Sequence, residues 1–107
     1  MDIRFNTDNA TAGSADMAQA VEDRLTERLD ARFGERLTTI EVHVRDVDGD
    51  SNRPDGIEAR LEARPKNGDP IFVAERGEKP MDAVNSALGT LVTRLDTVFG
   101  KADRHRK

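Results

Sequence analysis

The sequence predicts an α+β domain in which a four-stranded sheet carries two helices on one face. Four short segments alternate apolar and polar residues, which is the period of a half-buried strand. Two longer segments repeat apolar residues every three or four positions, which is the period of an amphipathic helix. The segments follow the order β-α-β-β-β-α, and 107 residues suffice for a single two-layer sandwich of this kind.

The first strand and the first helix have clear boundaries. Residues 2–6 alternate polar and apolar side chains, so Ile3 and Phe5 are expected to face inward. The first helix is expected over residues 15–33, because Gly34 is a natural helix stop. Its apolar stripe repeats at every fourth position and consists of Met17, Val21, Leu25 and Leu29.

Three further strands are predicted to form an antiparallel meander. They cover residues 38–45, 57–64 and 71–75, and each alternates apolar and polar side chains or is rich in β-branched residues. A loop dense in Asp, Gly and Asn joins the first two, and Asn67-Gly68 is a hairpin-turn signal between the last two. The initial strand connects to this meander through a helix, so it should pair in parallel.

The last helix is predicted to begin at Pro80 and to end at Gly100. The predicted domain therefore covers residues 1–100, and residues 101–107 form a basic tail. All four Phe are expected in the core, together with one set of residues shared by sheet and helices. That set is Ile40, Val42, Val44, Ile57, Leu61, Leu88, Leu91 and Leu95. The full stripe of the last helix also includes Val84, Ala87, Val92, Val98 and Phe99.

The charge of the chain is unevenly distributed. The net charge is −4, which argues against a general nucleic-acid binder. Residues 1–100 hold 13 basic and 20 acidic side chains, whereas residues 101–107 hold four basic and one acidic. The chain has no Cys, no apolar run long enough to span a membrane, and no apolar segment typical of a secretory signal near Met1. We therefore expect a cytoplasmic protein with no membrane partner.

Metal and catalytic sites are not predicted. The Asp46–Asn52 run resembles the start of a calcium loop, but Ser51 and Ile57 stand where that loop needs Gly and Glu. The only histidines, His43 and His105, have no Cys to complete a zinc site and belong to no recognisable catalytic triad. We therefore expect no metal, no cofactor, no small-molecule substrate and no enzymatic activity.

Basic side chains give the more informative pattern. Arg24, Arg28 and Arg32 lie at i, i+4 and i+8, so they form one row along the first helix. This row either contacts RNA phosphates or is a solvated face paired with the acidic residues that alternate with it. Because the chain has no Trp or Tyr, recognition of RNA shape and phosphates is favoured over base stacking. The candidate RNA-binding residues are Arg24, Arg28, Arg32, Arg94, Lys101, Arg104, Arg106 and Lys107.

Several stretches, in order along nearly the whole chain, resemble one known family. They are Met1–Asn9, Ile40–Val44, Glu58–Leu61, Ala83–Leu91 and Leu95-Asp96. In these stretches the chain is similar to the bacterial hibernation-promoting and ribosome-associated inhibitor family, especially its short single-domain members. The resemblance implies the same β-α-β-β-β-α fold, which is similar to a double-stranded-RNA-binding domain with an added N-terminal strand.

The resemblance also implies a function. Members of the family bind the small ribosomal subunit in the channel used by messenger and transfer RNA, so the implied partner is 16S rRNA and the implied role is translation inhibition under stress. The short form lacks the dimerising domain of long members and should not by itself join two ribosomes. Family members usually carry a row of Lys and Arg on the last helix, whereas here Thr90, Thr93 and Thr97 are expected to occupy much of that exposed face and only Arg94 remains before the tail. The alternative is a divergent member that binds a protein partner instead of the ribosome.

Overall fold

The computed structural model describes residues 1–7, 15–47 and 56–104. Its helices and strands follow the predicted order. They are β1 (Asp2–Thr7), α1 (Ala15–Phe33), β2 (Leu37–Asp46), β3 (Ile57–Pro65), β4 (Ile71–Gly77) and α2 (Pro80–Arg104). The predicted boundaries of α1 are confirmed, and β2, β3 and β4 are each one to two residues longer than predicted.

The four strands form one sheet in the order β1-β2-β3-β4. The β1 strand pairs with β2 in parallel, and the other two pairs are antiparallel, as predicted. One row across the sheet consists of Phe5, Val42, Leu61 and Val73, which are register partners from strand to strand. These side chains point to the same face because the register aligns strands whose side chains alternate with a period of two.

Burial is confined to one face of the sheet. The buried residues of β2, β3 and β4 form a single apolar cluster with the stripes of both helices, and the eight predicted core residues all belong to it. Ile3 and Phe5 of β1 pack against the edge of that cluster. Among the described residues, no polar or charged side chain is buried. Both helices therefore cover the same face, and the opposite face of the sheet is open to solvent.

The end of α1 shows why its sequence stops there. Arg32 lies in the last turn, where a positive charge is favoured by the helix dipole. The Gly34 N–H donates a hydrogen bond to the Asp30 carbonyl oxygen at 3.0 Å. A Cβ at position 34 would lie 2.5 Å from that same oxygen. Only glycine therefore allows the backbone to pass this close to Asp30 at the end of the helix.

The last helix is longer than predicted. It continues through Gly100 to Arg104, so the predicted stop at Gly100 is wrong. Glycine ends a helix when it adopts a positive φ, and in the described part of the chain only Gly68 does so (φ 133°). Gly100 keeps a helical conformation, and Lys101 and Arg104 extend α2 instead of forming a separate tail.

Two apolar side chains are not in the core where the sequence placed them. Phe72 is 56% exposed, because it follows the inward-facing Ile71 and alternation turns it to the open face of the sheet. The prediction that all four Phe are buried is therefore wrong. Val98 is 41% exposed, since it lies at the margin of the α2 stripe while Leu95 and Phe99 face the core.

We predict that Leu91→Ala lowers the free energy of unfolding by about 2–5 kcal/mol, because Leu91 is fully buried at the centre of the cluster. Val98→Ala on the same helix is the matched control and should change it by less than about 1 kcal/mol. Urea unfolding monitored by circular dichroism measures both values. A Leu91→Ala effect no larger than that of the control would contradict the assigned packing of α2.

Candidate nucleic-acid interface

The two helices lie side by side and run in the same direction. Arg24 Nε donates a hydrogen bond to Asn85 Oδ1 at 3.1 Å, and further along both helices Arg32 pairs with Asp96. These contacts follow from the topology, because α1 and α2 each return from a strand that runs in the same direction across the sheet. The helical side of the molecule is therefore one continuous surface that contains the predicted arginine row.

Within the arginine row, the three members have different environments. Arg24 also lies 3.7 Å from Glu27, one of the acidic residues that alternate with the row. Arg32, besides its pair with Asp96, places its guanidinium carbon 4.8 Å from the Phe33 ring centroid. Arg28 is exposed and makes no hydrogen bond or ion pair with the described residues. Two arginines thus join α1 to α2, and Arg28 has no such partner among the described residues.

The exposed face of α2 carries hydroxyl groups that bond to its own backbone. Thr93 and Thr97 donate to the carbonyl oxygens four residues earlier, at 3.2 and 3.1 Å. Thr90 is half-buried and donates to Glu75 Oε2 of β4 at 3.1 Å, so it does not lie on the exposed face where the sequence placed it. A hydroxyl occupied in this way is a weaker phosphate ligand than the basic side chains that the resemblance implies at these positions.

Arg94 and Lys101 are the exposed basic residues of α2 whose side chains the structure places. Neither makes an ion pair with the described residues. The side chain of Arg104, and Arg106 and Lys107 as whole residues, lie outside what the structure describes. Of the predicted tail, Lys101 is therefore the residue that can be assigned to a surface.

The C-terminal ends of both helices form a basic end made of Arg32, Arg36 and Lys66. The Phe33 and Phe99 rings contact at 5.7 Å between centroids, and the Arg36 guanidinium lies 4.1 Å from the Phe99 centroid. The Lys66 N–H donates to the Arg36 carbonyl at 3.0 Å, which brings the β3–β4 turn to this end. Helix C-termini favour positive charge.

Sequence spacing could not identify Lys66 as a neighbour of the first helix. The two segments are separated by two strands in the chain, and only the register of β2 with β3 brings them together. Together, the basic end and the exposed Arg28, Arg94 and Lys101 make the helical side a candidate phosphate-binding surface. This surface also carries acidic groups: the described exposed side chains of α1 and α2 include seven carboxylates and four basic groups.

The described residues contain no group of three or more His, Cys, Asp or Glu that could hold a metal ion. Most of the loop that was tested as a calcium site, residues 48–52, lies outside them. In the same described part of the chain, neither helix combines the length and apolarity needed to cross a membrane.

We predict a weak coupling between Arg32 and Asp96, because both side chains are about half-exposed. A double-mutant cycle with Arg32→Gln and Asp96→Asn should give a coupling energy of about 0.2–1 kcal/mol in low salt. Urea unfolding of the four proteins measures it. The coupling should fall toward zero in 1 M NaCl, where charges are screened within about 3 Å. A coupling that is unchanged by salt would mean that the pair is not held by charge attraction.

The comparisons with known proteins identify the fold. No family model and no curated protein matches the sequence. The N-terminal domain of Protein Y from Thermus thermophilus is 18% identical, and the match covers 92% of this chain and 99% of that one with a TM-score of 0.71. A ribosomal subunit interface protein from Coxiella burnetii is 16% identical, with 94% and 99% covered and a TM-score of 0.68. The chain therefore has the fold that the sequence resemblance implied.

Proposed function

We propose that this protein is a cytoplasmic ribosome-associated factor that binds 16S rRNA of the small subunit and inhibits translation under stress. The observation that carries the proposal is the fold match over more than nine-tenths of the chain to a structure described as a ribosomal subunit interface protein. The order of the matching sequence stretches supports the same assignment. The role is binding, with no catalytic step, no cofactor and no small-molecule substrate.

The helical side is the proposed rRNA-binding surface. Arg28, Arg94 and Lys101 would contact phosphates directly, since each is exposed and unpaired with the described residues. Arg24 and Arg32 would contribute less, because they already bind Asn85 and Asp96. Arg104, the last residue of α2, and Arg106 and Lys107 after it in the sequence are proposed as further phosphate ligands. Folded RNA is recognised mainly through its shape, its phosphates and its 2′-hydroxyls, which suits a surface of separate cations.

The alternative is a protein partner on the helical side, and the excess of carboxylates on α1 and α2 favours it. Sucrose-gradient sedimentation of lysate from starved cells discriminates the two. We expect the protein to sediment with the small subunit or whole ribosomes. Its presence only at the top of the gradient would contradict ribosome association and favour the protein partner.

We predict that binding to purified small subunits depends strongly on salt, because each phosphate contact releases counterions. Arg94→Gln should lower the slope of log affinity against log salt by about 0.7–0.9. Lys79→Gln, which removes one positive charge just before α2, is the matched control and should leave the slope unchanged. Filter binding between 50 and 200 mM salt measures both. Equal slopes for the two variants would remove Arg94 from the interface.

A second variant tests the C-terminal basic residues without shortening α2. Changing Lys101, Arg104, Arg106 and Lys107 together to Gln should reduce the slope by roughly two to four units, because up to four phosphate contacts are lost. Glutamine preserves helix propensity, so the melting temperature should be close to that of the unchanged protein. Full affinity with an unchanged slope would show that the rRNA contact lies on the body of the helices.

A further inference from the structure

The open face of the sheet consists of the outward side chains of β1–β4 and has a different charge from the rest of the molecule. It carries five arginines and four carboxylates, while the chain as a whole has a net charge of −4. It is therefore the side of the described structure where basic residues outnumber acidic ones. The arginines are Arg4, Arg45, Arg60, Arg64 and Arg76, and the carboxylates are Asp2, Glu41, Glu58 and Glu62.

The two charge types differ in depth over β2 and β3, at the centre of the open face. The side chains of Glu58 and Glu62 are 15% exposed, whereas their ion-pair partners Arg45 and Arg64 are 56% and 52% exposed. At the β1 edge there is no such difference, because Asp2 is as exposed as Arg4. A molecule approaching the centre of this face therefore meets positive charge first.

This layering argues against a second copy of the chain as the occupant. Two open faces placed together would bring guanidinium groups against guanidinium groups, with the matching carboxylates half-buried below them. A like-charge contact of this kind costs free energy in an interface. The complementary occupant is an anion, and a polyanion would contact several arginines at once.

One aromatic ring lies beside these cations. The exposed Phe72 lines a concavity of about 280 Å³ whose other walls include His43, Arg45 and Arg60. Phe72 is the register partner of Glu62, and Arg60 is the partner of Ala74, so the ring and Arg60 are diagonal neighbours on adjacent strands. Such neighbours lie about 7–8 Å apart. One nucleotide can therefore stack its base on the ring while its phosphate contacts the guanidinium group.

Arg60 is the cation best suited to bind that phosphate. It is exposed and makes no ion pair or hydrogen bond with the described residues. Its register partner on β2 is His43, whose Nε2 lies 3.5 Å from Glu41 Oε2. Glu62, which lines the concavity, pairs with Arg64. Both nearby carboxylates therefore already have partners other than Arg60.

We propose that the open face binds a single-stranded RNA segment, with one base stacked on Phe72 and the adjacent phosphate bound by Arg60 and Arg45. A stacking ring beside a positively charged surface is the combination that sequence-tolerant single-strand binders use. The expectation against base stacking rested on the absence of Trp and Tyr and on the placement of all four Phe in the core, and the exposure of Phe72 removes the second ground. This proposal does not depend on the proposed function, because it uses the opposite side of the molecule.

The test is fluorescence anisotropy with a labelled octauridylate RNA and the full chain. Phe72→Leu keeps an apolar side chain but removes the ring, and should weaken binding by about 5-fold to 150-fold, the range that one stacked base spans. Phe72→Tyr should retain binding. Phe72 is exposed, so all three proteins should have similar melting temperatures, which separates lost binding from lost folding.

Charge is tested in the same assay. Arg60→Gln should weaken binding and lower the salt slope by about 0.7, the value for one phosphate of a single strand, and Arg60→Lys should restore the slope. Lys79→Gln, which lies away from the open face, should have no effect. No binding of the unchanged protein in low salt would overturn the proposal.

Two further outcomes would also overturn it. If Phe72→Leu bound the RNA as tightly as the unchanged protein, the face would attract polyanions by charge alone. If a labelled polyglutamate peptide bound with the same dependence on Phe72, the surface would suit an acidic protein segment. Co-sedimentation of the Phe72→Leu protein with small subunits is measured in parallel. If this variant loses octauridylate binding but still sediments with the subunits, single-strand binding and ribosome association are separate properties.

Discussion

Burial on one face of the sheet is the constraint on which the rest of the structure depends. Every buried side chain in the described part of the chain is apolar, and these residues form one cluster between the sheet and the two helices. With little apolar content and many charges, the sequence can cover only one face. The other face must then be solvated, and its side chains are free to serve binding instead of packing.

The same constraint fixes how the helices present their charges. Both stripes must face the sheet, so α1 and α2 lie side by side and their flanking polar residues meet. Arg24 and Arg32 are drawn into that seam by Asn85 and Asp96. Arginines that read as a uniform row in the sequence thus separate into two that join the helices and one, Arg28, that faces outward alone. Their contributions to binding are therefore expected to be unequal.

The elements and the core could be predicted from the sequence because their apolar periods are local and regular. The eight core residues named from alternation and helical spacing are all buried, and the parallel pairing of β1 follows from its connection through a helix. The end of α2 could not be predicted, since glycine permits a helix stop without requiring one. Gly100 remains helical, whereas Gly34 must be glycine because of its approach to Asp30.

The surfaces were harder to predict for a different reason. An aromatic residue in a strand is assigned to the core on average, but β4 presents Phe72 outward because its neighbours Ile71 and Val73 occupy the inward positions. Lys66 joins the basic end through the pairing of distant strands, which no spacing in the sequence records. The pattern within one strand or helix predicts which of its side chains are buried. It does not predict which exposed side chains of different elements come together on one surface.

We assign two binding surfaces to opposite sides of one small domain, and the most direct test is whether both can be occupied together. Purified small subunits would be saturated with the protein, then given an excess of labelled octauridylate and separated by sedimentation. We expect that the protein stays with the subunits and that the labelled RNA sediments with it. Displacement of the protein from the subunits by the RNA would contradict this assignment, because both ligands would then use one surface.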